Sequence, residues 1–516
     1  MSDEGKTVAR SIGYDFLASA LGSGAFPIER PAQTGPVTRV TERADVLLVP
    51  SAVAPSTDDP LTHLLFALKH EGTNLQAAIL ALKKMPARSL AQAFQRSPSS
   101  GYARIACYLW EIANGQRLDG LPPAVGAYEK LFNEDRYITG RTLRDSRWRV
   151  DFNGIGSPSY CITVRRSPAI DELLKSDILG QVGKLVSSID KEMLDRAVHW
   201  AYLSETDNSY AIEREKPSAS KAEAFANLLS RAHDAEVITE DYLVALQNLA
   251  VSNPLDHADG FRAEQNRLRN EMRGAMGVTY VPPPPELVKP VMDAVMALCN
   301  DRDSGVDALV RGSLASFAFV FAHPFTDGNG RLSRFLFHKV ACIDPRLASG
   351  LVLPVSIAMK RNERDYLAAL QSFSKPARAF WDVTFISDDR IYQDFRGQPE
   401  IYRYWDGTAC VEFGLRMARE ALQRDLHQEV KFMHRFDAIY RSINDAVDMN
   451  NNDLVIVARS IAETGELSNN RARQLIAKGH RPEFVQTAVD AAMEALQTLQ
   501  EHGDSSGGAP GETANP

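Results

Sequence analysis

Apolar residues recur at helical spacing over most of this chain, and the pattern predicts a mainly helical protein. It begins near Leu61, where Leu64, Leu65 and Leu68 and then Leu75, Ile79 and Leu82 share a face, and Tyr102 to Ile112 continues it. Before that point the chain is rich in Pro, Thr, Ser and Gly, with one strand-like run from Ala44 to Val49 stopped by Pro50. Extended chain is expected again at Ser159–Val164, a β-branched run after Asn153-Gly154-Ile155-Gly156. Ile178 to Arg214 reads as one or two helices with Leu185, Ile189, Leu194, Val198 and Leu203 on an apolar face. Val278 to Val281, followed by the prolines 282–285, reads as a short, exposed, extended segment. Leu287 to Phe321 is helical, with Val306, Leu309, Val310, Leu314, Phe317 and Phe321 buried, and another helix starts around Arg331. A long amphipathic pattern covers Cys410 to Ala446, and a smaller helical unit follows to about Leu499.

These patterns divide the chain into a poorly structured arm (1–60), a helical and mixed domain (61–185), a core with its preceding helix (186–390), a helical region (391–500) and a disordered tail (501–516). Two or three domains suit 516 residues, since single cores rarely grow beyond about 250 to 300. The net charge of -8, without long runs of one sign, gives no basic footprint for nucleic acid and no polybasic membrane patch. Five cysteines, odd in number and far apart, suggest neither a disulfide framework nor a zinc site. No apolar stretch approaches the roughly 18 residues of a membrane span and no signal segment opens the chain, so a cytoplasmic protein is expected.

Chemistry concentrates between two helical patterns, in His323-Pro324-Phe325-Thr326-Asp327-Gly328-Asn329-Gly330-Arg331-Leu332-Ser333-Arg334. Pro324 disfavours helical backbone at His323, so the imidazole sits on a corner, and Phe325 anchors the loop. Gly328, Asn329 and Gly330 lead their amides into a helix N-terminus, an arrangement that binds anions. Arg331 and Arg334 share one face of that first turn, where two guanidinium groups can hold successive phosphates. Asp327 supplies one hard oxygen ligand, which suits Mg²⁺ held jointly with phosphate oxygens. His323, with an ordinary pKa of about 6.5, is the natural general base for an attacking hydroxyl. Phosphoryl or nucleotidyl transfer is the expected reaction class.

The stretch resembles, without a break, the Fic (Fido) family motif His-Pro-Phe-x-Asp/Glu-Gly-Asn-Gly-Arg-x-x-Arg. The resemblance implies a mainly α fold: a Fic helical core with a short β-hairpin flap, flanked by a mostly helical N-terminal domain and a helical C-terminal region. It implies a nucleotidyltransferase that moves AMP from ATP to a Tyr, Thr or Ser hydroxyl of a target protein. His323 is then the base, Asp327 the magnesium ligand, Gly328, Asn329, Gly330 and Arg331 the phosphate cradle, and Arg334 the holder of the γ-phosphate. Phe261-Arg262-x-x-Gln265 and Thr279-Tyr280-Val281 resemble the flap, which clamps the target by main-chain pairing. Pro354-Val355-Ser356 and Arg361-Asn362-x-x-Asp365-Tyr366 resemble the segment closing the adenine pocket, with Tyr366 stacking on the base. Ser209-Tyr210-Ala211-Ile212-Glu213 resembles an inhibitory helix whose glutamate pairs with the last motif arginine; Arg214 departs from the Gly or Asn expected there.

The same fold removes AMP or transfers other phosphate-containing groups, which is the alternative within the enzyme class. An alternative of another class is a DNA-binding regulator using Ile461 to Ile476 as a helix-turn-helix, against which the acidic balance weighs. ATP and a hydroxyl-bearing protein are the expected partners, a homo-oligomer is admitted, and no membrane or nucleic-acid partner is expected.

Overall fold

The computed structural model describes residues 9–251, 253–272, 275–347, 350–387 and 390–505. The chain is mainly helical with small sheets, and it divides into two compact units: residues 1–183 with 202–419, and residues 184–201 with 420–516. These units cut the chain differently from the five segments expected from composition.

In the first unit, the expected N-terminal helices form at Pro60–His70, Leu75–Leu82, Ala87–Arg96 and Gly101–Asn114. Their starts are set locally: Asp59, Asn74 and Ser100 each accept a backbone N–H of the first turn. Tyr160–Arg165 is extended as expected, pairing in parallel with Tyr404–Asp406. The first 60 residues correct the arm expected there. They contain the helix Gly13–Leu21 and a four-stranded sheet in which Ser11–Ile12, Ala32–Thr34, Leu47–Val49 and Thr41–Glu42 lie in that order. Such short strands carry no periodicity of their own. They form because pairing buries Ile12, Ala32, Leu47 and Val49 against Phe66.

The core around the motif is built on the helices Ala308–Ala322 and Asn329–Ala341, whose apolar residues from Leu309 to Val340 are almost all buried. The proposed flap strand, Val278–Tyr280, pairs antiparallel with Leu268–Arg269. It is extended as expected, but it is not an exposed segment. Val278, Tyr280 and Val281 are buried, and only Thr279 faces solvent. Val278 and Val281 pack on Trp381 of the hairpin Trp381–Ser387/Arg390–Phe395, and the Tyr280 hydroxyl donates to the Phe321 carbonyl.

In the second unit, helices His427–Ala446, Asn451–Thr464, Asn469–Ala477 and Pro482–Ser505 enclose Ile439, Ile443, Leu454, Val457, Ile461, Leu475, Val485 and Ala488. The last helix continues past the expected start of the tail to Ser505, and residues 506–516 lie outside the described residues.

Candidate active site

The loop from His323 to Gly328 is held in shape by side chains that close on its backbone. His323 ends its helix in the left-handed region at φ 47°, off the right-handed helical backbone that Pro324 disfavours but also off the extended backbone that a residue before proline prefers. Gly328 opens the next helix at φ 86°, a conformation that favours glycine. Between them, Asn329 folds back to accept from Phe325 N–H at 3.0 Å and donate to Phe325 O at 2.8 Å. Phe325 itself is buried against Phe261 and Phe319. Gln247 donates to the carbonyl oxygens of Asp256 and Asp327.

Arg262 ties this loop to the flap. Its backbone N–H donates to Pro324 O at 2.8 Å, and its guanidinium donates to the carbonyls of His323, Glu264 and Pro283. Burial lowers the Arg262 pKa to about 10. Burial also pushes His323 down to about 4, and the nearby Arg262 charge acts in the same direction. Nδ1 of His323 lies 3.2 Å from the Val320 carbonyl oxygen, which only accepts. Nδ1 therefore carries the proton, and the lone pair belongs to Nε2.

The two motif arginines, each 1% exposed, receive carboxylates from the same helix end. Arg334 donates through Nε to Ser209 Oγ at 2.8 Å and through Nη2 to Ser209 O and Glu213 Oε1, both at 2.9 Å. Burial alone would lower the Arg334 pKa, but the Glu213 charge beside it makes the net shift upward. Arg331 meets Glu215 at 3.1 Å, Asp327 at 3.2 Å and the Ala250 carbonyl at 2.9 Å, with its guanidinium over the Tyr210 ring. The Glu213 carboxylate also lies over Gly330, where a Cβ would come within 2.0 Å of Oε1.

Backbone geometry at the end of the helix Lys191–Ile212 delivers both glutamates. Arg214 adopts φ 59°, its N–H donates to Ala211 O, and Glu215 N–H donates to Tyr210 O. This is a Schellman termination with Arg214 at the left-handed position that glycine or asparagine normally takes. The departure seen in the sequence therefore keeps the turn while adding strain.

Profile comparison matches residues 237–341 to the Fic/DOC family. The chain carries a Fic/DOC domain. The protein adenylyltransferase fic-1 of Caenorhabditis elegans is 30% identical over 115 residues, covering 22% of this chain and 21% of that protein. The chain thus spans about a fifth of the length of this relative. Among solved structures, a Fic family protein from Desulfovibrio desulfuricans is 19% identical with a TM-score of 0.37, covering 60% of this chain and 90% of that one. A Fic domain containing signaling protein from Bacteroides thetaiotaomicron is 17% identical with a TM-score of 0.36, covering 51% and 96%.

Around this Fic domain the structure brings together His323, Asp327, Gly328, Asn329, Gly330, Arg331, Arg334, Ser209 and Glu213. The Tyr366 ring is stacked on Phe413 at 5.6 Å, so one face is already covered. Burial raises the Tyr366 pKa, partly offset by Arg334. Of the flap residues, Thr279 alone exposes its side chain. Sequence reasoning missed Glu215 and Glu205. Glu205 is buried, accepts from Ser356 N–H at 2.8 Å and Ser356 Oγ at 2.5 Å, and lies 3.0 Å from His338. Burial would raise its pKa, but pairing with His338 and Ser356 brings it down overall. The available signal was the spacing Glu205, Ser209, Glu213, which aligns three polar side chains on one helical face.

Asp327 remains 44% exposed, and no cluster of three or more metal-ligating side chains occurs among the described residues. This donor set fits a cation held by one carboxylate and substrate phosphates. No described helix is long and apolar enough to cross a membrane.

Proposed function

We propose that this protein is an adenylyltransferase moving AMP from ATP onto a Tyr, Thr or Ser hydroxyl of a protein, restrained by Glu213. The carrying observation is the convergence of a neutral histidine, a helix N-terminus and two buried arginines on one short loop. The name of the adenylyltransferase relative supports the same reading.

In this mechanism, Nε2 of His323 takes the proton from the target hydroxyl as its oxygen attacks the α-phosphorus. The bond from the α-phosphorus to the bridging oxygen breaks, and pyrophosphate leaves. The amides opening the Asn329–Ala341 helix stabilise the phosphates, with Arg334 reserved for the γ-phosphate. Asp327 would hold Mg²⁺ against the same oxygens, where the cation neutralises developing charge. Tyr366 borders the adenine, and the Val278–Tyr280 strand with Val281 receives the target through its main chain.

Restraint follows because Arg334 already meets an anion of the protein's own. Glu215 extends the restraint to Arg331, so one helix end supplies carboxylates to both arginines. The decisive experiment compares α-labelled with γ-labelled ATP on purified protein and lysate. Label transferred from the α position is expected; transfer from the γ position alone would replace this reading with phosphoryl transfer.

A further inference from the structure

Beyond the transferase reading, and independent of it, the second unit contains a surface that matches duplex DNA. Helices Asn451–Thr464 and Asn469–Ala477 are joined by the short turn Gly465–Ser468, with Gly465 left-handed at φ 83°. The Ser460 and Thr464 hydroxyls both donate to Glu466 O, at 3.0 and 2.9 Å, which fixes the turn. Ser468 caps the second helix, and Leu475 anchors it in the unit's core. Its exit is also fixed: Lys478 Nζ and His480 Nε2 meet the buried Asp453 carboxylate at 2.5 and 2.8 Å. This is the layout of a helix-turn-helix.

The outward side chains are suited to the task. Asn469, Asn470 and Gln474 are exposed on the second helix, and Asn and Gln are side chains that pair with base edges in the major groove. An α-helix with its side chains is about 10 to 12 Å across, which a major groove about 12 Å wide admits. From Leu467 to Pro482 the chain carries Arg471, Arg473 and Arg481, beside a Lys478 already paired with Asp453, and that stretch contains no Asp or Glu although the whole protein is at -8. A net charge averaged over the chain conceals this local cationic face.

We propose that the Asn469–Ala477 helix enters the major groove of duplex DNA, with Arg473 and Arg481 contributing phosphate contacts. The test uses the full chain and a fluorescein-labelled mixed-sequence duplex, read by anisotropy between about 50 and about 150 mM salt. Low-salt binding is expected, with log affinity falling by about 0.9 per log unit of salt for each phosphate contact. Arg473→Ala and Arg481→Ala should each flatten that slope by about one, with circular dichroism unchanged. No duplex binding at low salt, or a slope untouched by both substitutions, would overturn the proposal. So would equal affinity for a single-stranded RNA of the same length. The His323→Ala protein should bind the duplex like the unaltered chain, which separates this outcome from any failure of the transferase reading.

Discussion

Two helices in this protein begin with paired arginines, and their surroundings give the pairs opposite characters. Arg331 and Arg334 are 1% exposed and meet Asp327, Glu213 and Glu215. Arg471 and Arg473 open a surface helix in a stretch without carboxylates. A guanidinium removed from water needs an anion or carbonyl at bonding distance, so the first pair behaves as a specific receptor that the protein fills itself. A guanidinium in water attracts phosphate over a longer range and without selectivity, and salt weakens it. Residue type is shared; burial decides between recognition and general attraction.

The sharpest way to break this comparison is to remove the base that the buried site serves. His323→Ala should lower label transfer by about 10²- to 10⁴-fold while a fluorescent ATP analogue binds nearly as before. Activity retained without His323 would leave the buried arginines as an ATP-holding device without the proposed chemistry.

Next in size is release of the receptor. Glu213→Gly should raise autoadenylylation by about 10- to 150-fold, since a charged hydrogen bond contributes about 1.5 to 3 kcal/mol. Equal or lower activity would remove Glu213 as the restraint. Glu215→Gln should tighten ATP by a smaller factor, measured by calorimetry, because Arg331 keeps Asp327 and Ala250 O. An unchanged affinity, alone and combined with Glu213→Gly, would make Glu215 only a helix terminator.

Burial of His323 sharpens the comparison in another way. Its free form persists down to about pH 4, so the acid limb of kcat/KM should lie near 4 and not near 6.5. Between those values the unfolded chain takes up the proton first, so this histidine's contribution to stability is lost as pH falls from about 6.5 toward 4. A limb at 6.5 would mean a solvated imidazole. The smallest effect concerns the helix end: Arg214→Gly should stabilise the protein by about 1 kcal/mol, read in the melting temperature, by relieving a left-handed arginine.

Much of this was legible because the signals are local. Helical spacing found the long helices, and His323 to Arg334 form one contiguous stretch in which each residue type has a chemical use. Of the four N-terminal strands only Leu47–Val49 was legible, in the run Ala44 to Val49; the other three were not, because Ser11–Ile12 or Thr41–Glu42 becomes a strand only when a distant partner offers its hydrogen bonds. Tyr280 looked exposed beside its prolines, yet a hairpin a hundred residues on covers its strand.

Sequence by itself determined the motif, the glycines that permit its turn and the helix that carries Ser209 and ends just before Glu213. Those depend on residue type and near-neighbour spacing. Only the tertiary structure decided what the charges do. It brought Glu213 to Arg334 and Glu215 to Arg331, neutralised His323 by burial, and left Arg473 in water, because dielectric environment is a property of packing that no residue carries alone.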